Sequence, residues 1–292
     1  MKNKLLAVLL AATMALSMTA CGGSNSGSTN SDGTSKEETT KTEKTEDVSI
    51  EEQELYDQNG IIITATELNM DGMYGPEINV LIENNGTQNI TVQTSHTAIN
   101  DYMLIPLFST DIAAGKKANG SISFLTEELE AANIDSIGKI DLQFSIIDTD
   151  TWENIVTSDM ISINTSISET YTQTYDDNGD VLYEANGIRI IKKEIGEDIL
   201  YGPEVILYIE NNSDKGIVVQ SRNTSINGFM VEPMLSAEVL AGKKIVTSMT
   251  FLAEDLETNG IDTVESIETS FAIINLDTWM DITTSESVTI TP

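Results

Sequence analysis

The sequence has little of the chemistry on which most catalytic and metal sites depend. Its 292 residues include one Cys and one His. A single Cys excludes a disulfide framework within the chain and a zinc site built from Cys ligands, and a single His excludes a His-rich metal site. The composition therefore predicts no metal and no cofactor, and it does not favour an enzyme.

Positive charge is also scarce. The chain has 15 Lys and Arg against 47 Asp and Glu, for a formal net charge of −32. Proteins that bind nucleic acid need a basic face for the phosphates, so nucleic acid is excluded as an expected partner. With 40% hydrophobic residues, the length allows two modest domains that each bury a core.

The chain has no hydrophobic run long enough for a membrane helix. Leu5 to Leu16 is apolar over about a dozen residues, follows two lysines, and has the length of a secretory signal. It ends in Met18-Thr19-Ala20-Cys21, which resembles a bacterial lipobox. In lipoproteins of that kind the signal is removed before the Cys, and the thiol carries a diacylglyceryl group with fatty acids such as palmitate.

We therefore expect residues 1–20 to be a lipoprotein signal peptide and Cys21 to be the lipid attachment site. The anchored protein would lie on the outer face of the cell membrane. The alternative is an ordinary secretory signal cleaved after Ala20. Residues 22–47 are dominated by Gly, Ser, Thr, Lys and Glu, so residues 21–47 are predicted to be a lipidated Cys followed by a disordered linker.

The remaining sequence contains one internal repeat. Five motifs occur twice, and every pair is separated by the same 127 positions. The pairs are LYDQNGI at 55–61 and LYEANGI at 182–188, YGPE at 74–77 and 201–204, IENN at 82–85 and 209–212, AGKK at 114–117 and 241–244, and DTW at 150–152 and 277–279. This period fits a whole domain. The predicted boundaries are 48–165 for the first repeat, 166–180 for a polar linker and 181–292 for the second repeat.

Hydrophobic residues alternate with polar ones inside each repeat. Ile140, Leu142, Phe144 and Ile146 alternate with Asp141, Gln143 and Ser145, which should point outward. Asn59-Gly60 and Asn227-Gly228 are hairpin signals. The pattern predicts an all-β protein with two tandem immunoglobulin-like antiparallel β-sandwiches, each with one short helix. A closed small barrel is the alternative.

The predicted helix of the first repeat covers residues 126–130. Thr126 is expected to cap it, and Gly260 is expected to end its counterpart in the second repeat. Phe144 and its equivalent Phe271 should be buried in their cores.

The five repeated motifs also support a family resemblance. Residues 48–292 resemble the repeated extracellular domain of uncharacterised lipoproteins from Gram-positive, clostridia-like bacteria. The resemblance implies immunoglobulin-like sandwiches in the cell envelope and no assigned activity.

Few residues are candidates for binding or catalysis. His96 corresponds to Asn223, so it is not a catalytic base shared by both repeats. Tyr74/Tyr201 and Trp152/Trp279 could form a platform for carbohydrate or peptide, but we expect the Trp rings to pack across the sandwich edge and the Tyr rings to brace the Gly-Pro turn. The clusters 148–150 and 176–180 could bind calcium, although solvated turns are the expected role.

Paired carboxylates could in principle hydrolyse glycosides. With 47 acids, however, proximity of two is expected by chance. The acids present in both repeats are Glu67/Glu194, Asp71/Asp198, Glu77/Glu204, Glu83/Glu210, Glu127/Glu254, Asp135/Asp262 and Asp150/Asp277.

The expected function is a non-catalytic binding or envelope-organising module. Its partners would be the membrane, through the lipid on Cys21, and an extracellular protein, peptide or glycan whose identity the sequence does not give. A solute-binding lipoprotein of a transporter is the alternative, and a deep cleft between the repeats would favour it. An envelope hydrolase is the third possibility.

Overall fold

The structure is a computed structural model that describes residues 48–292. The predicted signal peptide 1–20, the predicted lipid attachment site Cys21 and the predicted linker 21–47 lie outside the described residues. Within residues 48–292, no helix is long and apolar enough to span a membrane.

The first repeat contains ten strands and one helix. In chain order they are β1 (Gln53–Gln58), β2 (Ile61–Asn69), β3 (Glu77–Asn84), β4 (Ile90–Ile99), β5 (Tyr102–Leu104), β6 (Ser109–Ile112), β7 (Lys116–Ser123), α1 (Thr126–Ala131), β8 (Lys139–Asp148), β9 (Asn154–Thr157) and β10 (Ile161–Asn164). One sheet has the order β1-β2-β3-β7, and in the facing sheet β4 pairs with β5, β6 and β8 while β8 pairs with β9 and β10.

This pairing is the immunoglobulin-like Greek key with one extra strand at the start. Strands β2, β3 and β7 pair as strands A, B and E of that fold, and β4, β8 and β10 pair as C, F and G. The tandem immunoglobulin-like sandwich prediction is therefore confirmed, and the closed barrel is not formed.

The second repeat repeats this order. Its elements are β11 (Asp180–Ala185), β12 (Ile188–Asp198), β13 (Gly202–Asn211), β14 (Ile217–Ile226), β15 (Phe229–Met230), β16 (Ser236–Val239), β17 (Lys244–Thr250), α2 (Ala253–Thr258), β18 (Ile267–Asn275), β19 (Asp281–Thr284) and β20 (Val288–Ile290). Strands β11-β12-β13-β17 form one layer, and β14 to β16 with β18 to β20 form the other.

The alternating hydrophobic residues form the cores. Ile140, Leu142, Phe144 and Ile146 are fully buried, as is Phe271 in the second repeat. The burial follows from the two-residue period of a strand, which sends every second side chain to the same face. Each repeat contains a full strand set of its own, and the exact domain boundaries remain predictions.

The turns and helices follow their local sequence signals with one exception. Asn227 and Gly228 both have positive φ, as a tight two-residue hairpin requires, and Gly260 has a φ of 67° just after α2. The predicted Thr126 cap is wrong. Leu125 precedes the helix without a side-chain cap, and the Thr126 hydroxyl donates a hydrogen bond to the carbonyl of Tyr74.

Candidate functional site

The two repeats are joined through a continuous sheet. Strand β5 of the first repeat pairs in parallel with β17 of the second, at Tyr102 and Lys244. The Lys244 backbone N–H donates to the carbonyl of Asp101 at 2.9 Å. A ten-stranded sheet therefore runs through both repeats.

Aromatic and apolar side chains fill this junction. The Tyr102 ring meets Tyr208 of the second repeat edge-on at 6.2 Å and lies 5.5 Å from Tyr175 of the connecting segment. Lys244 Nζ lies 4.1 Å from the centre of the Tyr175 ring. Met103 belongs to the buried apolar cluster of the second repeat. The segment predicted as a polar linker thus supplies an aromatic ring to the junction.

An ionic cluster lies beside these rings. Lys243 Nζ contacts Asp101 at 2.6 Å and Asp141 at 2.5 Å, and Lys139 contacts Asp141 at 2.9 Å. Burial alone would raise the pKa of Asp141, but the hydrogen bonds from Lys243, Ser162 and Lys139 outweigh it and hold that pKa below its ordinary value. Asp141 was expected to point into solvent, and the second repeat covers it instead.

A cleft opens where β5 and β17 diverge. Its volume is about 440 Å³, within the range of ligand sites in proteins. The first repeat supplies one wall through β5 and α1, and the second supplies the other through β13 and β17. The lining residues are Met103, Leu104, Ile105, Glu127, Glu128, Ala131, Ala132, Glu204, Ile206, Ile245, Val246, Thr247 and Ser248.

One wall of the cleft is an open strand edge. The N–H of Lys244 and that of Thr250 both point away from β13, toward Asp101 and Met234. Because backbone groups alternate in direction along an antiparallel strand, those of Val246 and Ser248 point the same way. Val246 and Ser248 pair with β13 on one side, and on the other side no strand in the described part of the chain pairs with them. Their N–H and C=O groups are available to a strand placed in the cleft.

The charged groups of the cleft are acidic. Glu127, Glu128 and Glu204 line it, and none of the lining residues is Lys or Arg. Glu128 Oε2 accepts the Ile105 N–H at 3.1 Å, and burial raises the pKa of Glu128. An adjoining cavity of about 350 Å³ contains Lys193, whose ammonium pairs with Asp176 at 2.9 Å.

A comparison of the repeats could have located this junction from sequence. The second repeat has apolar residues on both faces of three strands, at positions where the first repeat alternates. The pairs are Thr64/Ile191, Asn79/Ile206 and Asn119/Val246. When a strand face is apolar in only one of two copies, that face is expected to be covered by other residues in that copy alone.

The predicted candidate residues are dispersed. His96 lies within β4 at a bulge, and its Nε2 is 3.1 Å from Glu238 of the second repeat. Trp152 and Trp279 are 69% and 62% exposed, so their predicted packing across the sandwich edge is wrong. They lie on the turns between β8 and β9 and between β18 and β19, and neither ring lines the cleft.

The acidic clusters have structural partners. Asp148 Oδ1 accepts the N–H groups of Asp150 and Thr151, and hydrogen bonding, led by the Thr151 N–H, lowers the pKa of Asp148. Asn275 makes the same two kinds of bond in the second repeat. Among residues 48–292, no group of three or more His, Cys, Asp or Glu is arranged to hold a metal ion.

Two of the acids retained in both repeats also have structural contacts. Glu77 accepts hydrogen bonds from Asn69 at 3.1 Å and Ser123 at 3.4 Å. Glu83 pairs with Lys117 at 2.8 Å. These acids hold strands together.

Comparisons with known proteins add no function. No protein-family model matches the sequence, and no curated protein matches it. The structure is similar to the YadV chaperone, with 11% identity, coverage of 79% of this chain and 100% of that chain, and a TM-score of 0.25.

Two further solved structures show a comparable similarity. One is the Salmonella enterica SafA pilin with the SafB chaperone, with 10% identity, coverage of 81% of this chain and 98% of that chain, and a TM-score of 0.25. The other is the Acinetobacter baumannii CsuC-CsuE chaperone–adhesin complex, with 13% identity, coverage of 74% of this chain and 91% of that chain, and a TM-score of 0.21. The strand pairing itself shows the immunoglobulin-like fold.

Proposed function

We propose that this protein is a lipid-anchored, extracytoplasmic and non-catalytic binding module whose inter-repeat cleft holds an extended segment of a partner protein. The observation that carries the proposal is the open edge of β17 inside an apolar cleft. Such an edge accepts a strand from another chain through main-chain hydrogen bonds, and the surrounding side chains select its sequence.

The lining of the cleft defines the expected segment. Its apolar walls suit alternate apolar side chains, because a bound strand sends every second side chain to the same face. Its three glutamates favour a segment that also carries a Lys or Arg. The net charge of −32 would draw such a basic segment from a distance at low ionic strength.

The anchor is the second part of the proposal. Cys21 ends a lipobox-like motif and is the only thiol of the chain. A diacylglyceryl group there would hold the protein on the outer face of the membrane, since two acyl chains give stable anchoring. This agrees with the resemblance to clostridia-like envelope lipoproteins.

Metabolic labelling tests the anchor. Cells that express the full chain should incorporate labelled fatty acid into it and retain it in the membrane fraction. The Cys21→Ala variant should lose both label and membrane retention. Retention of both by the variant would refute the anchor.

Peptide binding tests the cleft. The probe is a labelled synthetic peptide in which valine alternates with threonine and one terminal lysine is added. We expect the full-length protein to bind it saturably. Ser248→Pro removes an outward N–H from β17 and should weaken binding about tenfold or more, since proline cannot donate to a strand pair.

The repeat supplies a matched control. Ser121 occupies the equivalent position on β7, and Ser121→Pro should leave peptide binding unchanged. Val246→Asp should also weaken binding, and its control Asn119→Asp should not. Equal binding by wild type and Ser248→Pro, with both folded by circular dichroism, would refute strand addition.

Capture of a small solute is the second candidate function. The volume of the cleft and its position between the repeats favour it. A solute that fills the apolar space would lose affinity in Val246→Asp but keep it in Ser248→Pro. The two variants therefore separate solute capture from strand addition.

A further inference from the structure

Each repeat has a second exposed apolar surface, and none of its apolar residues lines the cleft. We call it the YGP patch. In the first repeat it consists of Met73, Tyr74, Leu107 and Leu125, and in the second it consists of Leu200, Tyr201, Met234 and Leu252. These are equivalent positions in the two repeats.

Backbone contacts hold the patch together. The Tyr74 carbonyl accepts the N–H of Thr126 at 3.0 Å, which places the β2–β3 loop beside Leu125. Leu107 exchanges two backbone hydrogen bonds with Ser123, two residues before Leu125. Gly75 permits this approach, because its φ is +136° and a Cβ there would lie 2.2 Å from the Phe124 carbonyl oxygen.

The second repeat builds the same arrangement. The Tyr201 carbonyl accepts the N–H of Ala253 at 2.8 Å, and Met234 exchanges two backbone hydrogen bonds with Thr250. Asp198 Oδ1 accepts the N–H groups of Leu200 and Tyr201, both at 2.8 Å. The loop is therefore fixed while its side chains project outward.

Most side chains of the patch are exposed to solvent and therefore contribute little to folding. Met73 is 88% exposed and Leu200 is 82% exposed, and the Tyr, Leu107 and Met234 side chains are also exposed. Two of the four positions differ in identity between the repeats, Met73/Leu200 and Leu107/Met234, yet all four remain apolar. Common descent alone does not keep apolar character where the residue itself has changed, so a contact outside the chain is indicated.

The rim of the patch is acidic in both copies. Glu127 and Glu130 lie beside Met73, Tyr74 and Leu125, and Asp71 precedes Met73 in the same loop. Asp198, Glu254 and Glu257 occupy the equivalent positions in the second repeat. Residues 69–77, 124–132, 196–204 and 251–259 contain no Lys or Arg. This rim repels anionic lipid headgroups and a second copy of this acidic chain, and it attracts cations.

We infer that each YGP patch binds a protein segment in which an apolar anchor is flanked by Lys or Arg residues. One chain then holds two equivalent sites. A partner with two such segments would bind more tightly than a partner with one, because the second contact forms at a high effective concentration.

The test uses the full-length protein in detergent and a labelled peptide with three leucines between two pairs of lysines. Titration should give two equivalent sites, with affinity that falls as salt rises. Tyr201→Ser with Leu200→Ser should remove one site, and adding Tyr74→Ser with Met73→Ser should remove both. These side chains are exposed, so the fold should persist.

Three controls make the result specific. A peptide with glutamates in place of the lysines should not bind. Trp152→Ser and Trp279→Ser, which remove other exposed apolar side chains, should leave both sites intact. Ser248→Pro should also leave them intact, which separates this inference from strand addition in the cleft.

Three results would overturn the inference. They are absence of binding to the lysine-flanked peptide, unchanged binding in the fourfold variant, and binding to phosphatidylcholine vesicles in place of the peptide. The last result would identify the patches as membrane contacts.

Discussion

At the scale of single residues, a buried amide explains why the IENN motif occurs in both repeats. Asn84 is 1% exposed, and its Nδ2 donates to the carbonyls of Gln88 and Ile112 while its Oδ1 accepts the Gly86 N–H. Asn211 makes the equivalent contacts in the second repeat. The amide ties the β3–β4 loop to the end of β6.

Removal of this amide should be costly. Asn84→Ala leaves buried backbone groups without partners, at about 1–3 kcal/mol for each group that water cannot reach. Urea unfolding should show this loss, while Asn85→Ala, at the exposed neighbouring position, should change the unfolding free energy by less than about 0.5 kcal/mol. Equal stability of the two variants would contradict the bridging role.

The exposed tryptophans should behave in the opposite way. Trp152 has a φ of 61°, in the left-handed region that costs a bulky residue about 1–2 kcal/mol. Asn tolerates that region, so Trp152→Asn should leave the unfolding free energy unchanged or raise it by up to about 1 kcal/mol. Phe144→Ala, in the core, should lose about 3–5 kcal/mol under the same conditions. A comparable loss of unfolding free energy for Trp152→Asn would mean that the indole packs against other residues of the protein.

At the scale of elements, the same short strand has two environments. Strand β5 is covered by the second repeat, so Tyr102 is 1% and Met103 7% exposed. The equivalent residues of β15, Phe229 and Met230, are 49% and 67% exposed. The difference in exposed fraction shows how much of the side chains of β5 is buried by the contact between the repeats.

This difference predicts the effect of two matched substitutions. Met103→Ala should lower the unfolding free energy by about 2–5 kcal/mol, because Met103 packs in the apolar cluster of the second repeat. Met230→Ala should change it by less than about 0.5 kcal/mol. Chemical denaturation of both variants checks this, and equal losses would show that the junction does not form in solution.

At the scale of the whole molecule, the junction should depend on pH. Because the pKa of Asp141 is lowered in the folded protein, its stabilising contribution is complete above the ordinary pKa and is lost as pH falls through the folded pKa. The contacts of Asp141 with Lys243 and Lys139 should therefore weaken below about pH 4.

Thermal unfolding between pH 7 and pH 2 tests this dependence. Asp141→Asn should be less stable than wild type at pH 7, by about 1–3 kcal/mol, and the difference should shrink toward pH 2. Glu268→Gln changes the equivalent exposed acid of β18 and should follow the wild-type curve. A constant difference between Asp141→Asn and wild type across the range would contradict the role of the carboxylate charge.

The sequence by itself determined the local architecture of each repeat. Strand alternation, the Asn-Gly turns and the 127-residue repeat predict two immunoglobulin-like sandwiches, because period-two burial and turn geometry are properties of neighbouring residues. The predicted cap at Thr126 is wrong, because Leu125 holds the capping position, and the Thr126 hydroxyl donates to the Tyr74 carbonyl, 52 residues away.

The tertiary structure alone decided how the repeats meet. Asp141 and Tyr102 are polar or amphipathic residues on surfaces that a single domain would leave in water, and only the docking of the second repeat buries them. The cleft exists because β5 and β17 pair at one residue and then diverge. That divergence depends on the packing of two domains, whereas the apolar positions that allow it were visible in the sequence as the differences between two otherwise similar copies.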